Sequence, residues 1–196
     1  MALLRTITRP DSEPVIEGDG VCLRHPVMAD FQDWSELREC SRAFLTPWEP
    51  TWPLDDLNRA SFRRRLRRYG KDVRDDKAYP FFIFRNLDNS LVGGMTLSNI
   101  RRGVTQACAL GYWIGEPYQG QGLMTAAVGA ICPYIFDVLR LHRIEAACLP
   151  HNEPSRRLLV TAGFNEEGYA REYLRINGAW RDHILFARVK GDPSPD

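Results

Sequence analysis

Ala107-Cys108-Ala109-Leu110-Gly111-Tyr112-Trp113-Ile114 runs toward Tyr118-Gln119-Gly120-Gln121-Gly122-Leu123-Met124-Thr125, and the join between these two stretches decides the fold. The first alternates as a strand does: Cys108, Leu110, Tyr112 and Ile114 share one face, while Gly111 leaves a gap on the other. The second is a polar glycine turn. Past it, Met124, Ala127, Val128, Ile131, Ile135 and Val138 recur at the 3.6-residue period of a helix packed on a sheet. Pro133 lies inside that helix and clashes with the carbonyl of Gly129, which predicts a kink and not a helix end.

Downstream, His142 to Leu149 reads as a strand and Asn152 to Ala162 as a helix capped by Gly163. Strands over 166–176 and 180–189 are joined by Asn177-Gly178, a type I′ hairpin signal. Upstream, Val21–Arg24 is a short strand, and Met28 to Arg42 is a helix with Phe31, Trp34, Leu37 and Leu45 as its apolar stripe. The prolines of Leu45-Thr46-Pro47-Trp48-Glu49-Pro50 enforce a loop. Asp55 to Tyr69 is a second helix, and Tyr79–Phe84 with Leu91–Ile100 form a hairpin turning at Asp88-Asn89. The sum predicts an α+β fold: a mixed, mostly antiparallel sheet of about seven strands with helices on both faces. Residues 1–19 read as a flexible arm, 20–190 as one domain and 191–196 as a polar tail.

Composition narrows the class. With 26 Lys and Arg against 25 Asp and Glu, the net charge of +1 gives no global attraction to nucleic acid or membrane, so any such attraction must be local. The five cysteines make no C-x-x-C pair and fall mostly inside apolar runs, as reduced core thiols of a cytoplasmic protein do. The four histidines have no ligand spacing with them, so no metal site is expected. The N-terminus is too briefly apolar for a secretory signal, and nothing approaches the ~20 apolar residues of a membrane span.

A helix start leaves its first N–H groups without intrahelical partners and carries about half a positive charge. Gly120 and Gly122 let a phosphate approach that backbone closely. A two-glycine turn is by itself also a plain strand-to-helix connection. A second module follows about thirty residues on, where Asn152 caps a helix, Pro154 suits its first turn and Ser155 sits near its start. Capping alone is the competing reading of Asn152 and Ser155.

Gln119-Gly120-Gln121-Gly122-Leu123-Met124 resembles the Q/R-x-x-G-x-G/A signature of the GNAT superfamily of N-acetyltransferases, and Asn152-x-x-Ser155 with Gly163-Phe164 resembles its later N-x-x-S/A and G-F elements. Further segments are similar to the RimJ/RimL-type enzymes, which acetylate N-terminal amines of ribosomal proteins, and the RimJ-like subgroup matches best. They are Leu45 to Pro50, Gly122 to Thr125, His142-Arg143-Ile144, Pro150-His151-Asn152, Glu167-Gly168-Tyr169 and Trp180-Arg181-Asp182-His183. The resemblance implies a sheet splayed after the 107–114 strand to receive acetyl-CoA. Its pantetheine arm would lie along backbone groups of Trp113 and Ile114. Its pyrophosphate would meet the amides of Gln119, Gly120, Gln121, Gly122, Leu123 and Met124 and the hydroxyl of Thr125. Asn152 would hold the pantetheine chain, and Ser155 would protonate the departing thiolate. Met124 departs from the small final residue of the general signature. Leu159 stands where many relatives place a tyrosine acid, which shifts the proton donor to Ser155.

The expected reaction is direct attack of a neutral amine on the thioester, with no covalent enzyme intermediate; no histidine is spaced to make a cysteine nucleophile credible. An α-amine has a pKa near 8 and a lysine ε-amine near 10.4, so deprotonating lysine costs on the order of 3 kcal/mol more. Residues 107–115 contain no Asp or Glu, which favours an α-amine. Glu49, Glu116 and His183 are the remaining base candidates. Glu49 would bind the ammonium or pass its proton out through water, against the plainer reading of a solvent-facing loop carboxylate. Glu116 lies near the phosphate turn, where negative charge is unhelpful, and a strand His183 is more often structural. Trp48, Tyr112 and Trp180 are candidates both for an acceptor pocket and for ordinary packing. Five of the six residues from Arg63 to Arg68 are arginines: a solvated helix surface, or a contact for RNA or an acidic partner, with Asp72, Asp75 and Asp76 near enough to neutralise it. The expected acceptor is a protein or peptide N-terminus, a ribosomal protein among the possibilities. The alternatives are a small-molecule amine acetyltransferase and a non-catalytic CoA-binding module.

Overall fold

A computed structural model describes residues 14–193. Eight strands form one sheet: β1 Val15–Gly18, β2 Val21–Arg24, β3 Tyr79–Arg85, β4 Leu91–Arg101, β5 Ala107–Ile114, β6 Arg143–Cys148, β7 Asn165–Ile176 and β8 Ala179–Val189. Their spatial order is β1-β2-β3-β4-β5-β6-β8-β7, and β5 with β6 is the one parallel pair among them. The helices are α1 Phe31–Cys40, α2 Arg42–Leu45, α3 Arg59–Arg74, α4 Leu123–Pro133 and α5 Glu153–Thr161. Among the described residues no helix is long and apolar enough to cross a membrane.

Both faces of the sheet are covered, and β3 shows how its sequence arranges that. Phe81 and Ile83 point into a large core built with α4 and α5, whereas Phe82 and Phe84 point into a second core with Trp34 and Leu37 of α1 and Phe62 of α3. A strand buried on both sides needs the unbroken apolar run found here. On β5, Cys108 and Leu110 face the first core with Tyr112 and Ile114 packed beside them, and Trp113 faces the second.

Two expectations are corrected. Val15–Gly18, taken as part of the arm, is a strand paired with β2, and a Cβ on Gly18 would come within 2.9 Å of the Ala130 side chain of α4. Asp19-Gly20 turns the chain, with Gly20 at φ +68, and the Val15-Ile16 pair outweighs the polar composition around it. Residues 1–13 of the arm and 194–196 of the tail lie outside the described residues. The second correction concerns Val138. The chain stays helical past Pro133, but as a π turn over Tyr134–Val138 closed by a 2.9 Å bond from the Leu139 amide to the Tyr134 carbonyl. The proline has no N–H to continue the regular ladder, and the widened turn begins directly after it. One extra residue per turn moves Val138 out to 53% exposure and brings Leu139 in at 8%.

Candidate active site

β5 is paired along its whole length with β4, from Ala107 opposite Arg101 to Ile114 opposite Gly93. Its ladder with β6 covers three residues and ends at Ala109 opposite Glu145, because β6 continues alongside β8. The sheet therefore splays after Ala109. The phase of the hydrogen bonds follows from two contacts: Arg143 donates to the Gln106 carbonyl at 3.0 Å, and Gly115 donates to the Val92 carbonyl at 2.8 Å. Backbone groups alternate sides along a strand, so Leu110, Tyr112 and Ile114 turn theirs toward the opening. Trp113, expected there beside Ile114, turns its own toward Gly94 of β4, and Tyr112 takes its place.

The glycine turn stands beyond the end of β5. Ser41, fully buried, accepts the Glu116 amide at 2.9 Å, and Leu37 packs so closely on Gly115 that a Cβ there would lie 2.3 Å from it. These contacts fix where the turn begins. Gly120 and Gly122 both have left-handed backbones, at φ +72 and +76, and Gly122 caps α4. The first backbone bond into the helix is Ala126 to the Gly122 carbonyl at 3.0 Å. The amides of Gly120, Gln121, Gly122, Leu123, Met124 and Thr125 have no acceptor among the described residues. Gln119 donates to the Glu116 carbonyl at 3.3 Å and stands outside that set. The Met124 side chain is buried in the main core, so the departure from a small residue leaves the turn uncrowded.

α5 begins on the far side of the splay. The Asn152 side-chain oxygen accepts the Ser155 amide at 3.2 Å, so capping uses the oxygen and leaves the Nδ2 hydrogens without a partner among the described residues. Gly163 at φ +80 ends the helix with a bond from Phe164 to the Leu159 carbonyl, a Schellman turn. Leu159 is fully buried, so nothing at that position reaches the opening. The Ser155 hydroxyl meets the Tyr112 hydroxyl at 2.7 Å, across the opening from β5. Burial pushes the Tyr112 phenol well above its ordinary value, with the Ser155 bond working weakly against it. Both hydroxyls are therefore neutral and able to hold and pass a proton. Nearby Cys148 is also pushed up by burial and is no thiolate.

Glu49 does not present a free carboxylate. Its two oxygens take a bidentate pair from Arg38, at 2.8 and 2.7 Å, and the Trp52 indole N–H at 2.7 Å. Arg38 lies 4.0 Å from the Trp52 ring and 4.8 Å from the Trp113 ring, and its Nε is buried without a partner. Sequence reasoning missed Arg38, although it falls on the Phe31, Trp34, Leu45 stripe where a charge needs a partner. The Glu49 carbonyl accepts the Asn177 amide at 2.9 Å, which ties this loop to the β7–β8 turn, and Trp48 sits 5.5 Å from the His151 ring just before α5. The loop thus joins both sides of the opening. Glu116 is exposed beside the glycine turn. His183 is buried, and because a carbonyl only accepts, its Nδ1 donates to Arg181 at 2.9 Å. Trp180 is 61% exposed and lines no core.

Known proteins match the chain in family and fold. Residues 21–165 match the family described as acetyltransferase (GNAT) domain. The chain is 39% identical over 155 residues to the [ribosomal protein uS5]-alanine N-acetyltransferase of Escherichia coli K12, covering 79% of this chain and 80% of that protein. The ribosomal-protein-S5-alanine acetyltransferase of Vibrio fischeri superposes with a TM-score of 0.84 at 32% identity, over 92% of this chain and 99% of that one. Mycobacterium smegmatis RimJ in complex with CoA-disulfide gives 0.84 at 34% identity, over 92% and 88%.

Proposed function

The chain belongs to the GNAT acetyltransferase family, and from that premise we propose that it carries the acetyl group of acetyl-CoA to the N-terminal α-amine of a protein, a ribosomal protein first among the candidates. The relatives named for ribosomal-protein alanine acetylation support this acceptor. The observation that carries it is the bidentate Arg38–Glu49 pair. With that carboxylate occupied and no acid on β5, the opening offers no strong base, and an acceptor whose amine is already partly neutral near pH 7 is required.

Acetyl-CoA supplies the acetyl group activated as a thioester. The unpaired backbone of Tyr112 and Ile114 suits the pantetheine amides, as a missing strand would, and the Asn152 amide N–H groups add donors from α5. The free amides from Gly120 to Thr125, with the Thr125 hydroxyl, form an anion cradle at the start of α4 for the pyrophosphate. Ser155 gives its proton to the sulfur as the carbon–sulfur bond breaks, and the Tyr112 hydroxyl holds Ser155 in place and relays to it a proton taken up from water, so that both hydroxyls end neutral. The proton lost by the amine leaves through water, so charge balances.

Release of CoA from acetyl-CoA tests the acceptor. Peptides beginning Ala, Ser or Thr should turn over, and the same peptides with a blocked α-amine should not. Turnover confined to polyamines or aminoglycosides would replace the acceptor while leaving the acetyl donor; tight CoA binding without any turnover would mark a non-catalytic module.

A further inference from the structure

On α3, Arg63, Arg67, Arg68, Lys71 and Arg74 are exposed, and none has a carboxylate partner among the described residues. Four neighbouring acids are engaged elsewhere, Asp55 with Arg64, Asp56 with Arg65, Asp75 with Lys77 and Asp76 with Arg102, and Asp72, inside α3, is the one neighbouring acid that makes no ion pair among the described residues. Arg63, Arg67 and Lys71 follow one another at i, i+4 spacing, where like charges destabilise a helix. The helix is held instead from its other side, by Phe62 in the core, Leu66 against it and Arg65 over the Trp34 ring. In a chain of net charge +1, this segregated row is a local field and not a reflection of composition.

We propose that the exposed face of α3 docks the phosphate backbone of RNA. Two features select a polyphosphate over an acidic protein. No large apolar side chain is exposed on α3, so the face lacks the buried anchor on which protein interfaces depend. Four of the five cations are arginines, whose planar forks match phosphate oxygens, and Arg63, Arg67 and Lys71 recur about every 6 Å along the helix axis. Such a face contacts the backbone without reading sequence. The choice of RNA rests on the ribosomal-protein acceptor proposed above.

The test uses the full chain and a fluorescein-labelled single-stranded RNA, read by anisotropy. Five phosphate contacts predict about a hundredfold loss of affinity between about 50 and 200 mM salt, at a slope of about −0.7 per contact. A single variant carrying Arg63→Gln, Arg67→Gln, Arg68→Gln, Lys71→Gln and Arg74→Gln should lose binding and the salt slope. It should keep the circular dichroism of the parent and its kcat/KM on a short N-terminal peptide. Unchanged RNA binding by the variant, salt-independent binding by the parent, or tighter variant-sensitive binding to double-stranded DNA or polyglutamate would each overturn the proposal. Because peptide turnover is read separately, loss of the acceptor reading and loss of the RNA contact give different results.

Discussion

The hydroxyls of Tyr112 on β5 and Ser155 on α5 lie 2.7 Å apart, on the two elements that part to form the opening. One bond therefore couples the proposed proton donor to the strand along which the thioester arm would lie. Ser155→Ala should lower kcat about 10²- to 10⁴-fold, the usual range for a general acid, with CoA affinity within about twofold of the parent. Tyr112→Phe removes one hydrogen bond and should lower kcat roughly tenfold, again at unchanged CoA affinity. Stopped-flow turnover with equilibrium CoA binding separates these outcomes. Equal loss of kcat and CoA affinity in Ser155→Ala would reduce Ser155 to part of the helix cap.

The glycine turn makes a prediction about binding and not chemistry. A Cβ at Gly120 or Gly122 would meet nothing within 4 Å, but both residues hold a left-handed backbone. Alanine at either position should cost about 1–2 kcal/mol of strain or flip the turn and scatter its free amides. CoA affinity should fall while kcat at saturating acetyl-CoA changes little. Calorimetric titration that finds parental CoA affinity in both variants would remove the turn from the phosphate site.

The elements marked by local chemistry were legible in the sequence. Gly120, Gly122 and Gly163 each take the positive φ for which a glycine is suited, and Asn152 caps the helix its spacing assigned to it. What escaped depends on partners distant in sequence. Glu49 reads as an open loop carboxylate until Arg38, eleven positions earlier on a helix, closes on it. Tyr112 reads as pocket lining or as packing until α5 brings Ser155 across 43 residues. Val138 fits the helical period, and only the widened turn after Pro133 takes it out of the core. Periodicity assumes an unbroken register, and it has no term for a partner supplied by another element.

His183 gives the fold a pH dependence with a definite sign. Burial lowers its value below the ordinary 6.5, against smaller opposing effects of the Arg181 carbonyl and Asp182. The unfolded chain therefore takes up the proton first as pH falls, and stability declines below pH 6.5. The paired carboxylates Asp55, Asp76 and Asp182 are lowered in the folded chain, so they contribute only in a more acidic range. Thermal melts should show Tm dropping from about pH 7 to about pH 5, with a shallower slope in His183→Asn, whatever its absolute Tm. An identical slope in that variant would assign the titration to another group.

Glu49 separates a base from a positioning residue. With Arg38 8% and Glu49 18% exposed at their side chains, the pair is largely shielded from water, and losing one charge leaves the other uncompensated. Glu49→Gln should cost about 3 kcal/mol, the lower end for breaking a buried pair, because some solvent reaches it. Arg38→Met added to Glu49→Gln should restore part of that loss, since the stranded guanidinium is removed. For activity, the loop tethered through Asn177 and Trp48 should loosen, raising KM for the peptide while the pH dependence of kcat/KM keeps its shape. A base would behave otherwise: Glu49→Gln would lower kcat and erase the acid limb of the pH profile. That result would return the proton to Glu49 and would require Arg38 to release it during turnover.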